Sequence, residues 1–210
     1  MEVKHSYKSI TYMEDPDVYP VERDSLFMLE IVENEITHNS KLIDMGCGTG
    51  LATLIASSAG MNVVSVDREP RSLMLLRRNL EINGLDSALF LSNLFEGVPR
   101  SYQGWADIIT FNPPYLPDID GKIGRRGNLP LIGGEKGWET ASKFLNECVR
   151  FLSPEGKVIL LCPGDWSMGD LDPFDFFLNW RIRMGQRDLD GEEFRIVILE
   201  RPKTNIDSME

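Results

Sequence analysis

The sequence predicts an α/β protein: a three-layer sandwich around a seven-stranded, mostly parallel sheet that closes with a C-terminal antiparallel hairpin. Three observations predict it. From Lys41 to Cys162, apolar runs of strand length alternate with segments of helical periodicity, the pattern of parallel strands joined by right-handed crossovers. The first of those strands runs directly into a glycine-rich loop and then a helix. Near the C-terminus, Asp190-Gly191 separates two further strand-like runs, a hairpin signature.

In order along the chain, residues 1–19 show little periodicity, are broken by Pro16 and Pro20, and are assigned no element. Val21 to Ile36 spaces Leu26, Phe27, Leu29, Ile31, Val32 and Ile36 as a helix covering the sheet. Lys41–Met45 reads as the first strand, Leu51–Gly60 as a helix, and Asn62–Asp67 as the second strand, ending on a carboxylate. Pro70 opens a helix at its favoured first-turn position, and Asn83-Gly84 stops it. Ser87–Leu91 is a third strand, and Asp107–Phe111 is a fourth, closed by two prolines that cannot continue a central strand. The segment Leu116–Lys136 is a long structureless loop rich in Gly, Pro and Asp, which in a compact domain is usually either functional or disordered. Trp138–Leu152 is a helix, Ser153–Gly156 a turn, Lys157–Cys162 a fifth strand and Phe174–Trp180 a last helix. Arg181–Leu189 and Phe194–Arg201 form the terminal hairpin. The expected organisation is an N-terminal segment (1–20), a single domain (21–201) and a polar tail (202–210).

Composition excludes several function classes. The 22 basic and 33 acidic residues give a net charge of −11, a bulk field that opposes a polyanion. The 3 cysteines (Cys47, Cys148, Cys162) contain no Cys-x-x-Cys pair, which argues against a disulfide framework and a structural zinc site. The 2 histidines, His5 and His38, lie outside the motif region, so no metal is expected. No apolar run reaches the length of about 20 residues that a membrane span needs, and the polar start lacks a signal-peptide core. A cytoplasmic protein is expected.

Two stretches carry chemistry. Asp44-Met45-Gly46-Cys47-Gly48-Thr49-Gly50 follows the first strand. Its glycines let the backbone turn sharply and approach a ligand, and the free N–H groups of the following helix face the same way. The spacing is Gly-x-Gly-x-Gly rather than the dinucleotide pattern Gly-x-Gly-x-x-Gly. Asp44 would sit awkwardly beside a pyrophosphate and well beside the ammonium of a methionine moiety. Asp67 is placed to accept hydrogen bonds from ribose hydroxyls. Asn93 could pair with an adenine amine or serve as a turn residue.

The second stretch is Asn112-Pro113-Pro114-Tyr115, at the end of the fourth strand and across the crevice from the loop. An amide or aromatic amine is a poor nucleophile because its lone pair is delocalised. The Asn112 side-chain oxygen and the Pro113 carbonyl can each accept one N–H of such a group, turning the lone pair outward, while Tyr115 packs on its plane. Asn112, Pro113 and Tyr115 are the candidate catalytic residues.

Together these motifs resemble class I S-adenosylmethionine-dependent methyltransferases of the amino-methylating group, which have a Rossmann-like fold. A narrower resemblance is to the short archaeal and eukaryotic branch of the HemK family of protein-glutamine methyltransferases. It rests on Asp17-Val18-Tyr19 followed by Asp24-Ser25, and on Gly133-Gly134-Glu135-Lys136-Gly137, which is similar to that family's Gly-Gly-x-x-Gly signature. It spans roughly residues 17–200. Pro20-Val21, Arg23 and Asn93 depart from that branch's usual residues. The resemblance implies S-adenosylmethionine as cofactor, held by Asp24, Ser25, Asp44, Gly46, Cys47, Gly48, Gly50, Asp67, Arg68, Asn93, Leu94 and Asn112. It implies the glutamine of the Gly-Gly-Gln loop of a class I release factor as substrate. It also implies, for some members, a small zinc-binding activator subunit on an apolar edge, for which Ala88-Leu89-Phe90-Leu91 is the candidate. The alternative is a nucleic-acid amino-methyltransferase (adenine N6 or guanine N2), supported by Arg68, Arg71, Arg77 and Arg78 and by Lys122, Arg125 and Arg126. A non-catalytic cofactor-binding protein is a third reading, against which the intact Asn-Pro-Pro-Tyr weighs.

Overall fold

The computed structural model describes residues 3–118, 131–164 and 180–201. It opens on an antiparallel hairpin, β1 (Val3–Tyr7) and β2 (Ile10–Glu14), which turns through Lys8 at φ 52°. This corrects the sequence reading, which assigns the region no element. Its alternating signal, with Ile10 and Tyr12 buried, is too short for periodicity to register.

The helix α1 (Arg23–Glu35) buries Phe27, Met28, Leu29 and Val32 on one side. The strand β3 (Lys41–Met45), helix α2 (Leu51–Ser58), strand β4 (Asn62–Asp67), helix α3 (Pro70–Asn83) and strand β5 (Ala88–Leu91) follow as two βα units and a closing strand. Pro70 sits in the first turn of α3, where its missing N–H costs nothing, and Gly84 ends the helix in the left-handed region. A single 3-10 turn, Arg100–Tyr102, precedes β6 (Ala106–Phe111). Two short segments, β7 (Leu116–Pro117) and β8 (Ile132–Gly134), pair in parallel inside the stretch predicted as structureless. Residues 119–130 of that stretch, with Lys122, Arg125 and Arg126, lie outside the described residues, as does most of the predicted helix Phe174–Trp180. The remaining elements are α4 (Glu139–Cys148), β9 (Leu152–Pro163), β10 (Arg181–Leu189) and β11 (Glu192–Glu200).

The main sheet has seven strands in the order β10-β11-β9-β6-β3-β4-β5. β9, β6, β3, β4 and β5 run parallel to one another, and β11 runs antiparallel to both β9 and β10. The predicted sheet and its terminal hairpin are thus present. β9 starts earlier than expected: Ser153–Gly156, predicted as a turn, is an irregularity inside the strand, with Ala106 opposite Leu152 and Ile108 opposite Lys157. Central strands covered on both faces are buried at every position after the first, and β3 and β4 are so, with Asp44 and Ser65 as the polar exceptions inside otherwise apolar runs.

Alternation divides the core. Ile43, Met45, Val64, Val66, Ile109 and Phe111 point into a cluster with Phe144 and Leu145 of α4. Leu42, Val63 and Ile108 point the other way, among Phe27 and Val32 of α1 and Ala56 of α2. Residues that follow the second parity, Asp44, Ser65 and Thr110, therefore fall on the α1/α2 side. The hairpin is docked on α3 by side-chain amides that imitate a strand: Asn79 and Asn83 each donate to and accept from the β2 backbone at Met13 and Thr11, over 2.7–3.1 Å. No helix among the described residues is long and apolar enough to cross a membrane.

Candidate active site

At the carboxyl ends of β3, β4 and β6 the chain leaves the sheet in three loops, and one cavity opens among them. The loop after β3 turns through Gly46, Gly48 and Gly50, all at positive φ. Gly50 starts α2 at φ 87°, and a Cβ there would lie 2.2 Å from the Leu76 side chain, so α2 can seat against α3 only with glycine at this position. The Asp67 carboxylate at the end of β4 accepts from Gly48 N and Glu69 N, each at 2.9 Å, and so braces the glycine loop from the neighbouring strand. Burial nonetheless raises its pKa above the ordinary carboxylate value.

Asp44 lies deeper, 5 % exposed, where Thr53 Oγ1 donates to one carboxylate oxygen at 2.7 Å and Thr110 Oγ1 to the other at 3.1 Å. Burial outweighs these bonds and, with the charge of Asp67 adding, pushes its pKa up to about 6. Burial likewise pushes up the Cys47 thiol, so that side chain is neutral packing in the loop.

A strap formed by residues 17–21 lines one side of the cavity. Thr49 Oγ1 donates to the Tyr19 carbonyl at 3.0 Å, Val21 N donates to Glu14 Oε1 at 2.8 Å, and Arg71 of α3 is ion-paired to Asp15 and Asp17. Arg71, counted in the sequence as part of a basic face, is thus neutralised by the chain's own N-terminal segment.

Across the cavity, Asn112 follows β6. Its Nδ2 donates to Asp24 Oδ2 at 3.1 Å, while its Oδ1 is buried without a hydrogen-bond partner. A carboxylate can only accept, so Asp24 dictates which end of the amide faces it and turns the oxygen away. Tyr19 OH donates to the same Asp24 oxygen at 3.3 Å and is hydrogen-bonded to Tyr115, whose pKa is pushed up to about 12 by burial and then by the Asp24 charge.

The Gly133–Gly137 segment buttresses this loop. A Cβ on Gly133 would lie 2.4 Å from the Pro114 carbonyl oxygen and 1.8 Å from that of Gly137, so only glycine allows the backbones to meet. Thr140 Oγ1, at the start of α4, donates to Gly133 O at 3.0 Å and lines the cavity.

Of the residues singled out in the sequence, Ser25, Asp44, Gly46, Cys47, Gly48, Gly50, Asp67, Arg68, Asn93, Leu94, Asn112, Pro113 and Tyr115 line this one cavity. Asn93 is exposed there and donates to Glu96 at 3.1 Å. Asp24 does not line it. It borders an adjoining cavity shared with Glu22, Tyr115, Asp190 and Glu192, and reaches the first through Asn112, Tyr19 and Ser25, whose backbone N–H and hydroxyl both donate to Asp24 Oδ1. Sequence reasoning missed Thr49, Thr53, Thr110 and Thr140. The available signal was a hydroxyl inside an otherwise apolar strand or helix, at Thr110 in Ile108–Phe111 and Thr53 in Leu51–Ala56.

The profile of the methyltransferase small domain matches residues 11–124 of the chain. A putative protein N5-glutamine methyltransferase of Methanocaldococcus jannaschii is 33% identical over 148 residues, which cover 70% of this chain and 72% of that protein. The release factor glutamine methyltransferase of Borreliella burgdorferi is 27% identical over 172 residues, 79% of this chain and 59% of its own length. Among solved structures, the E. cuniculi Mtq2-Trm112 complex, responsible for methylation of the eRF1 translation termination factor, superposes with a TM-score of 0.65 at 22% identity, covering 89% of this chain and 99% of that one.

Proposed function

Because this chain belongs to the methyltransferase small domain family, we propose that it transfers a methyl group from S-adenosylmethionine to the side-chain amide nitrogen of a glutamine, the one in the Gly-Gly-Gln loop of a class I translation release factor. The observation that carries the site assignment is the buried Asn112 Oδ1, an acceptor with no partner of its own, beside the Pro113 carbonyl. An unpaired buried acceptor costs about 1–3 kcal/mol, and a substrate amide N–H relieves that cost.

The residues present fit the cofactor. Gly48 leaves the loop open where a side chain would intrude, since a Cβ there meets nothing closer than 3.9 Å. Asp44 and Asp67 set one carboxylate at each side of the loop, suited to an ammonium and to ribose hydroxyls, with Ser25, Gly46, Cys47, Gly50, Arg68, Asn93 and Leu94 completing the lining. When bound, S-adenosylmethionine supplies an electrophilic methyl on a sulfonium. The chain's own part is positioning and electrostatics. Asn112 Oδ1 and the Pro113 carbonyl each accept one amide N–H and fix the plane of the group, and Tyr115 covers it. The two acceptors also favour the positive charge that develops on the nitrogen. The Tyr19 strap excludes water from its side of the cavity.

Asp24 belongs to this arrangement as the residue that holds the Asn112 amide. Asp24→Asn lets Asn112 flip, since an amide can both donate and accept. The turnover number is then expected to fall by about 10–100-fold, the scale of a lost charge-assisted hydrogen bond, with cofactor affinity little changed in equilibrium binding.

The Arg71 ion pairs and the net charge of −11 support a protein substrate over a nucleic acid. The names of the relatives support a release factor as the substrate, and a cytoplasmic site of action is part of the same reading. A small zinc-binding activator subunit is part of the reading: among the described residues β5 is an edge strand of the sheet, and its Leu91 is 57 % exposed. The deciding measurement is transfer of radioactive methyl from S-adenosylmethionine to purified release factor, with and without such a subunit, and with DNA and RNA in parallel. Label is expected in the release factor and lost when its Gly-Gly-Gln glutamine is replaced. Label in nucleic acid alone would overturn the reading.

A further inference from the structure

Beneath the cavity, three hydroxyls lie where the sheet is otherwise dry. Thr110, Asp44 and Ser65 are direct cross-strand neighbours on β6, β3 and β4, on the face that packs against α2. Thr53 of α2 sits over them, and Thr53, Ser65 and Thr110 are each 0 % exposed. From Asp44 a continuous line of contacts runs outward: Asp44 Oδ2 to Thr53 Oγ1 at 2.7 Å, Thr53 to Ser65 Oγ at 2.7 Å, Ser65 to Ser87 Oγ at 2.8 Å, and Ser87 to the Val63 carbonyl at 3.0 Å. Ser87 is half-buried, just before the edge strand β5.

Each hydroxyl has one hydrogen, so the line has only two fully satisfied polarities. With Asp44 ionised, Thr53 donates to Asp44, Ser65 to Thr53 and Ser87 to Ser65. With Asp44 protonated on Oδ2, the oxygen that faces Thr53, every bond reverses: Asp44 donates to Thr53, Thr53 to Ser65, Ser65 to Ser87, and Ser87 to the Val63 carbonyl. That carbonyl is the terminal acceptor the second polarity requires. Structural roles for polar residues in a sheet core need each to be paired, but they need neither a continuous line nor an acceptor at its far end.

We propose that Thr53, Ser65 and Ser87 form a reversible hydroxyl chain that links capture of an ammonium-bearing ligand at Asp44 to the release of one proton, with Thr110 holding the second carboxylate oxygen. The proposal rests on the assignment of Asp44 to the ammonium of the cofactor. As the ligand arrives, Ser87 turns its hydrogen from the Val63 carbonyl to water at the sheet edge and gives it up, while Asp44 gives its proton to Thr53, Thr53 its own to Ser65, and Ser65 its own to Ser87. One O–H bond forms and one breaks at each hydroxyl, and the carboxylate is left ionised against the ammonium. The route matters because the ligand itself covers the cavity side of Asp44. Thr53, Ser65, Ser87 and Thr110 are positioning residues: they act on the ligand only through the carboxylate.

Asp44 titrates where such a linkage is measurable, at about 6. The titratable groups bearing on it are Asp67 from β4, whose charge raises it, and the neutral Cys47 of the loop. α2 carries no charged residue, and Asp107 of β6 is engaged at the far end of its strand with Lys41 N and Ser153 Oγ.

The test is calorimetric binding to the full chain between pH 5.5 and 8, in buffers of different ionisation enthalpy. The probes are S-adenosylhomocysteine, which keeps the ammonium and cannot react, and 5′-methylthioadenosine, which lacks it. Wild type is expected to release a fraction of a proton on binding the first near pH 6, and to bind the second without pH dependence. Thr53→Val and Thr110→Val each remove a donor to the ionised carboxylate and raise the midpoint by about one to two pH units. Affinity for S-adenosylhomocysteine then falls roughly ten-fold at pH 6.5 and largely returns at pH 8. Thr53→Ser keeps the hydroxyl and is expected to keep the wild-type midpoint. An equal loss at every pH, or wild-type binding without proton exchange, overturns the proposal. Failure of wild type to bind either probe removes the cofactor reading and the proposal with it.

Discussion

Asn112→Ala is expected to lower the turnover number by about 1,000-fold while changing the affinity for S-adenosylmethionine by less than about three-fold. In the proposed function the side chain supplies one acceptor to the substrate amide, and the structure holds that acceptor ready: Asp24 holds Nδ2, and Oδ1 is buried with no competing partner. Removing a preorganised electrostatic contact of this kind costs 100- to 1,000-fold in other enzymes, and here the nucleophile is an amide that depends on it to expose its lone pair. Cofactor affinity survives because the glycine loop, Asp44 and Asp67 stand on β3 and β4, apart from the loop that Asn112 starts. Single-turnover methyl transfer and equilibrium binding of S-adenosylhomocysteine separate the two. A variant that loses both would show that Asn112 supports the cofactor rather than the acceptor.

Asp44→Asn is expected to abolish cofactor binding at pH 7, by 100-fold or more, and at the same time to raise the thermal midpoint of the ligand-free protein. A buried charge against an ammonium that is removed from one side leaves a neutral amide where the ligand needs a carboxylate. The stability change follows from linkage. The folded-state pKa of about 6 lies above the ordinary aspartate value of 3.8, so this group favours the folded state fully below about pH 4 and that contribution is lost as pH rises through 6. At pH 7 the ionised, buried carboxylate costs about 3 kcal/mol, an order-of-magnitude figure. Asparagine carries no such cost at any pH. The variant should therefore melt several degrees higher than wild type at pH 7 and at nearly the same temperature at pH 4, as read by calorimetry without ligand. A melting temperature lowered at pH 7 would mean that the carboxylate stabilises the ligand-free fold, contrary to its burial.

These two variants also show how unevenly the sequence disclosed the site. The glycine loop, Asp67 and the Asn112–Tyr115 stretch were legible because each is a local pattern: residue types at fixed spacing, at the carboxyl end of a strand. Asp24 was legible only as a carboxylate near a helix start. Its partnership with Asn112 joins residues 88 apart in the chain, and the sequence offered the cofactor as its partner instead. The N-terminal hairpin was not legible at all, because what holds it is a pair of asparagine amides one turn apart on α3, and asparagine in a helix carries no periodic signal. Gly133 and Gly137 were recognised by resemblance, and the backbone contacts with Pro114 and Tyr115 supply the physical need for them.

By itself the sequence determined the order of the strands and helices that build the main sheet, its antiparallel close, the acidic field and the two motifs, since these depend on periodicity, composition and neighbours along the chain. Tertiary structure alone decided which end of the Asn112 amide faces the cavity, that Arg71 is neutralised from the N-terminus, and that Thr110, Asp44, Ser65 and Thr53 meet in one buried row. The physical reason is register. A strand's pattern says which residues share a face, but only pairing with its neighbours places a threonine on one strand beside an aspartate on the next and a serine beyond it.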